Sequence, residues 1–133
     1  MKHILLSFIF CNIAVYAQSQ SAEKLIKTYF SGYEKKDWNL VESQLSADFT
    51  FTSPNGDDHI NMIKYKEKCW TAGIKFFKKI EFLKIVVDGN TAFAMYNITT
   101  MDNKLFHNVE YYTFTNGKIN SIETFFGAGT FKF

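Results

Sequence analysis

The chain has 133 residues, 47% of them hydrophobic and 18% aromatic, with a formal net charge of +2, which suits one domain with one modest core. All its cations other than histidine are lysine. Near-neutral charge without arginine argues against a nucleic-acid or phosphate binder, which would use guanidinium forks, and the few cysteines and histidines form no cluster at ligand spacing, so no metal or cofactor is expected.

Met1-Lys2-His3 is a basic head, Ile4 to Val15 is a mostly apolar run, and Val15-Tyr16-Ala17 has the small residue and spacing of a signal-peptidase site. The expectation is a cleaved signal peptide over 1–17, a single domain over 18–133, and a secreted or periplasmic location. The run is shorter than the roughly 20 apolar residues of a bilayer span, which argues against a stable membrane anchor. Phe10 precedes Cys11 where a bacterial lipoprotein site needs a small residue, so lipidation is not expected. Cleavage removes Lys2 and Cys11, lowering the net charge from +2 to +1 and leaving Cys69 as the remaining cysteine. Stability then depends on packing rather than on an internal disulfide.

From Ser21 the pattern is helical, with Leu25, Ile26, Tyr29, Phe30 and Tyr33 on one stripe and Glu23, Lys24, Lys27, Glu34 and Lys35 on the other. Asp37 fits the N-cap of a second helix over Trp38 to Leu45. Phe49 to Thr52 alternates as a short strand, and Ser53-Pro54-Asn55-Gly56 supplies turn chemistry. Asp57 or Asp58 is expected to cap a third helix running to about Ala72-Gly73. The lysines at 64, 66, 68, 75, 78, 79 and 84 cluster, as a solvated face would.

Residues 76–87, 91–101, 106–115 and 118–126 are rich in β-branched and aromatic residues and are separated by Asp88-Gly89-Asn90, Asp102-Asn103-Lys104 and Asn116-Gly117. They predict a four-strand antiparallel meander whose last hairpin turns at Asn116-Gly117, because both residues tolerate positive φ. Helices first and strands after is an α+β arrangement. In the third strand Glu110 shares a face with Asn108, Tyr112 and Phe114, and His107 falls on the other face. A carboxylate in an aromatic row needs a partner or a raised pKa. Asn97-Ile98-Thr99 matches a glycosylation acceptor, but its mid-strand position makes that a chance match.

The stretches YFSGYEKKDW (29–38), LSADFTFTSP (45–54), TNGKI (115–119) and ETFFG (123–127), in this order, resemble the SnoaL-like branch of the nuclear transport factor 2-like superfamily. The resemblance implies a cone: a strongly curved antiparallel sheet wrapped around three N-terminal helices, with an apolar pocket at one end. Tyr33, Ser53, Trp70, Tyr96, Tyr112 and Phe114 are then the pocket-lining candidates. Ketosteroid isomerases of this superfamily imply a residue-by-residue comparison. Their oxyanion tyrosine corresponds to Tyr29, eight residues before Asp37, and their protonated acid to Glu110, four before Phe114. Their general base, directly before a proline, corresponds to Ser53. A serine hydroxyl cannot by itself take a proton from carbon near neutral pH, so the catalytic set is incomplete. Asp57, Asp58 and His59 follow closely and could swing toward the pocket mouth as a base, but capping or solvated roles are the plainer expectation for them.

Two functional expectations stay open: an exported domain binding a small apolar or carbonyl-bearing molecule, and an isomerase, polyketide-cyclase-like or dehydratase-like enzyme using Glu110 and Tyr29. The empty base position favours the first. Members of the superfamily often pair through the outer sheet face, and the two-sided apolar character of 91–100 suits a homodimer.

Overall fold

The computed structural model describes residues 4–126. The expected basic head, 1–3, and the end of the ETFFG stretch at Gly127 with everything after it lie outside the described residues. Helix α1 (Ile4–Lys35) takes in the apolar run of the expected leader and continues without a break into the first predicted helix. Among the described residues no helix is long and apolar enough to cross a membrane.

Helix α1 buries Ala22, Ile26, Tyr29, Phe30 and Tyr33, the one-sided spacing that the sequence predicts. It ends where Lys36 takes a positive φ of 55° and the Asp37 N–H donates to the Gly32 carbonyl over 2.9 Å. Asp37 then caps α2 (Trp38–Glu42), its carboxylate accepting from the Leu40 N–H. The second helix is three residues shorter than expected because strand β1 (Leu45–Ser53) begins at Leu45, four residues before the predicted strand. Val41 is fully buried against α1, and Gly32 leaves the room: a Cβ there would collide with the Val41 side chain.

After β1 the structure departs from the expected third helix. Gly56, with φ of 82°, turns the chain back, and residues 57–61 form strand β2 (Asp57–Asn61), paired antiparallel to β1. Asp57 and Asp58 therefore cap no helix. Asn61 does so, accepting from the Lys64 N–H over 3.1 Å at the start of α3 (Met62–Tyr65). A π-helical turn (Lys66–Trp70) and α4 (Thr71–Phe76) complete the helical stretch over 62–76. Five residues along an α-helix separate side chains by about 140°. The wider π turn keeps Tyr65 and Trp70 on one buried face.

Strands β3 (Phe77–Asp88), β4 (Thr91–Thr100), β5 (Leu105–Thr115) and β6 (Lys118–Phe125) form the predicted antiparallel meander. Asn116 and Gly117 take φ of 50° and 70° at its last turn. The full sheet has the order β2-β1-β6-β5-β4-β3, with β1 parallel to β6 and the remaining neighbours antiparallel. Bulges in β3 and in β6, where Asn120 is skipped, bend those strands. The concave face carries Ala92, Ala94, Tyr96, Ile98, Tyr112 and Ile122 against the helices, and α1 packs on α2 and β3. Phe93 and Met95, of opposite parity, are exposed.

Candidate functional site

A cleft of about 920 Å³ opens between the β1–β2 turn, the helical stretch 62–76 and the β4–β5 end of the sheet. Its wall is mostly apolar, built from Phe51, Phe76, Phe77, Ile98 and Phe106, with polar groups from Ser53, Asp57, Lys68 and Asn108. A concave, largely apolar site with a few placed polar groups is the ordinary form of a small-molecule site.

The hairpin of β1 and β2 places the first polar group. Ser53 closes β1 and Asp57 opens β2, and their Cα atoms are paired in register. The Ser53 hydroxyl donates to Asp57 Oδ2 over 2.7 Å, and the Lys68 ammonium donates to Asp57 Oδ1. Burial alone would raise the Asp57 pKa, but the bonds from Lys68 and Ser53 outweigh it and hold the carboxyl below its ordinary range. Asp57 is thus an ionised, 5% exposed carboxylate on the cleft wall, in the same turn as the position where the isomerase comparison found only Ser53. Lys68 reaches it from the π turn, and the neighbouring half-buried Cys69 also lines the cleft. Burial first, then the Asp57 charge, push the Cys69 thiol up to about 11.

Glu110, on β5, is buried and hydrogen-bonded by hydroxyls. Tyr112 donates to its Oε2, Thr124 donates to its Oε1 over 3.0 Å, and the Tyr96 hydroxyl is a third donor. Desolvation still prevails over these bonds and raises the Glu110 pKa above the usual carboxylate range. Because Tyr96 gives its one proton to Glu110, its oxygen is an acceptor for the Asn108 Nδ2, 3.2 Å away. Asn108 lines the cleft, so a chain of Asn108, Tyr96 and Glu110 runs from the wall into the interior.

Tyr29 belongs to a different network. The Tyr65 hydroxyl is bonded to the hydroxyls of both Tyr29 and Tyr33, all three being buried. Burial, followed by the nearby charges of Tyr33, Glu110 and Tyr112, raises the Tyr29 pKa well above the ordinary phenol value. The two residues that the isomerase comparison pairs thus carry separate hydrogen-bond partners.

Of the predicted pocket-lining residues, Ser53 lies on the cleft. Tyr33 sits directly behind the cleft residue Gly73, and Trp70 packs on Tyr33 with ring centroids 4.7 Å apart. Tyr96 is reached through Asn108, and Tyr112 stacks on Phe114 at 6.3 Å. Tyr33, Trp70 and Tyr96 thus lie behind the wall, while Tyr112 and Phe114 stand farther along β5, toward its hairpin with β6. His107 lines the cleft although strand parity points it away, and Asp57, Lys68, Cys69 and Asn108 join it. Asn108 had a visible signal, its shared face with Glu110, and Asp57 had one in its place just after the base position. Among the described residues no group of three or more His, Cys, Asp or Glu could hold a metal ion.

The sequence profile of the SnoaL-like domain matches residues 26–122. No curated protein matches the chain by sequence. Solved structures share its fold. A proposed ketosteroid isomerase from Kribbella flavida superposes with a TM-score of 0.67 at 15% identity, over 83% of this chain and 80% of its own. A proposed polyketide cyclase from Sinorhizobium meliloti gives 0.65 at 16% identity, over 79% and 98%. An NTF2-like protein of unknown function from Cytophaga hutchinsonii gives 0.60 at 20% identity, over 79% and 88%.

Proposed function

The chain belongs to the SnoaL-like family, and from that premise we propose that it binds a small, mainly apolar molecule carrying a carbonyl or similar acceptor, without turning it over. The observation that carries this reading is the state of the polar groups at the cleft. Ser53 stands where a base carboxylate is needed, and the nearest carboxylate, Asp57, is already engaged by Ser53 and Lys68. An acid held below its ordinary pKa by two donors is a weak base, while the aromatic wall favours an apolar guest.

The test is titration of the purified domain with 2-acetonaphthone, an apolar aromatic ketone, followed by calorimetry and by alkylation of Cys69. The expected result is saturable one-to-one binding that protects Cys69 from iodoacetamide, since Cys69 lines the cleft. Absence of saturable binding for a panel of aromatic ketones and alcohols up to millimolar concentration overturns the reading.

One observation favours the enzymatic alternative, an isomerase, cyclase or dehydratase using Glu110 and Tyr29. The chain from Asn108 through Tyr96 connects the buried acid to the cleft wall. Loss of turnover of a cyclic ketone in Glu110→Gln, with binding retained, would establish that alternative.

Export and pairing complete the proposal. The basic head and short apolar run support cleavage after Ala17, for which the check is a secreted product beginning at Gln18. The outer sheet face carries the exposed Val86, Phe93, Met95 and Phe125, with Phe93 packed on Tyr111 at 4.9 Å, and a second copy would cover it. Light scattering on the wild type and on Phe93→Lys is expected to give a dimer mass and a monomer mass; a monomeric wild type refutes it.

A further inference from the structure

We infer that the cleft ligand is a small apolar carboxylate, an aromatic or medium-chain acid anion, anchored by Lys68 with Lys75 as a second cation. The inference rests on the binding reading above and adds to it the charge of the ligand's polar group.

The charged groups of the cleft wall are unequal. Lys68 and Lys75 both line it, and Asp57 is the one carboxylate among its lining residues. That carboxylate is committed on both oxygens, to the Ser53 hydroxyl and the Lys68 ammonium. It is also 5% exposed, whereas the Lys68 side chain is 58% exposed. Asp57 therefore acts as a positioning residue that holds the ammonium at the cleft. An ammonium carries three donors, and the bond to Asp57 uses one, leaving two for a guest. Lys75 follows seven residues on, about two helical turns, and lines the same cavity.

Next to these cations the wall is phenyl and alkyl surface from Phe51, Phe76, Phe77, Phe106 and Ile98. A neutral ketone placed there accepts a hydrogen bond from the ammonium but brings no charge of its own. A carboxylate adds the Coulombic attraction of an ion pair to that bond and can accept on two oxygens. Its repulsion from Asp57 is offset because the Lys68 ammonium bonds the Asp57 carboxylate directly and Lys75 adds a second positive charge. The surroundings reinforce the sign. Lys64 and Lys66 precede Lys68 on the same helical stretch, whose only acid is Glu67, so that stretch carries a net positive charge. A cationic guest finds the wall's carboxylate already taken.

The experiment compares 2-naphthoate with 2-acetonaphthone, which share a ring system and a carbonyl and differ in charge, by calorimetry on the wild type, Lys68→Gln and Lys75→Gln. Naphthoate is expected to bind about tenfold tighter than the ketone. Lys68→Gln is expected to weaken naphthoate by about tenfold and the ketone by less, since the ketone loses a hydrogen bond and no ion pair. Raising sodium chloride from about 0.05 M to about 0.5 M should weaken naphthoate alone, as screening requires. Should Lys68→Gln fail to fold with Asp57 unpaired, Lys75→Gln, at an exposed position that leaves the Asp57 pair intact, carries the test with the same direction of effect. Equal binding of the two probes, indifferent to both substitutions and to salt, overturns the inference and leaves the binding reading standing. Binding of neither probe by the folded protein overturns both.

Discussion

The Ser53 hydroxyl donates to Asp57 Oδ2 over 2.7 Å, joining the last residue of β1 to the first residue of β2. This bond puts a carboxylate four residues beyond the position where the family comparison looks for one. It also fixes that carboxylate as the acceptor for Lys68.

Replacing Asp57 with alanine removes the acceptor of both donors. Counting only the buried bond from Ser53, because Lys68 is solvent-exposed, the expected loss of stability is about 1 kcal/mol. The pH dependence has a definite sign. Asp57 has a lowered folded pKa, so its contribution is complete above the ordinary carboxylate range and is lost as pH falls from that range through the folded pKa. Urea midpoints of wild type and Asp57→Ala should therefore draw together on acidification, and a gap that stays constant as pH falls below the ordinary carboxylate range contradicts the assignment.

Glu110 behaves in the opposite sense. Its folded pKa is raised, chiefly by burial, so the folded state holds a proton that the unfolded chain gives up. Stability then falls as pH rises from the ordinary carboxylate range to the folded pKa, and stays lower above it. Glu110→Gln removes this slope. Its urea midpoint relative to wild type is expected to improve between pH 4.5 and pH 8, and parallel profiles across that window would show Glu110 to be ionised in the fold.

Tyr65→Phe tests the three-tyrosine network. The ring stays in place against Phe49 and Phe51, with centroids 5.3 and 4.9 Å away, but the hydroxyls of Tyr29 and Tyr33 lose their common partner. Tyr29 and Tyr33 are then left with each other as partners, so the expected cost is about 1–3 kcal/mol, that of one buried bond lost without replacement. Chemical denaturation measures this, and a loss under 0.5 kcal/mol, within the ordinary range for a surface change, rejects the network as a stabilising element.

Gly73→Ala opposes two effects of known size. A methyl group in a helix interior gains roughly 0.5–1 kcal/mol over glycine. Here its Cβ would lie 2.6 Å from the Tyr33 ring, which Tyr65 holds by its hydroxyl and Trp70 by packing. Overpacking of this kind costs about 1–3 kcal/mol, so a net destabilisation is expected, visible as a lower melting temperature. An unchanged or higher melting temperature means that Tyr33 is free to move aside.

Local sequence alone determined a good part of the molecule. The stripe of Ile26, Tyr29, Phe30 and Tyr33, the Asp37 cap, the turn at Asn116-Gly117 and the inward face of Glu110 are all legible from neighbours a few residues away, because helix and strand geometry fix which side of an element a residue takes. Tertiary structure decided the rest. Residues 57–61 have no strand periodicity of their own, and they extend because β1 offers hydrogen bonds to pair with. Tyr29 and Tyr65 are 36 residues apart and Asp57 and Lys68 are 11 apart, so which hydroxyl or carboxylate each would meet depended on how the hairpin, the π turn and the curved sheet close around one another. A residue's face follows from local backbone geometry; its partner follows from the path of the whole chain, and the character of the cleft rests on partners.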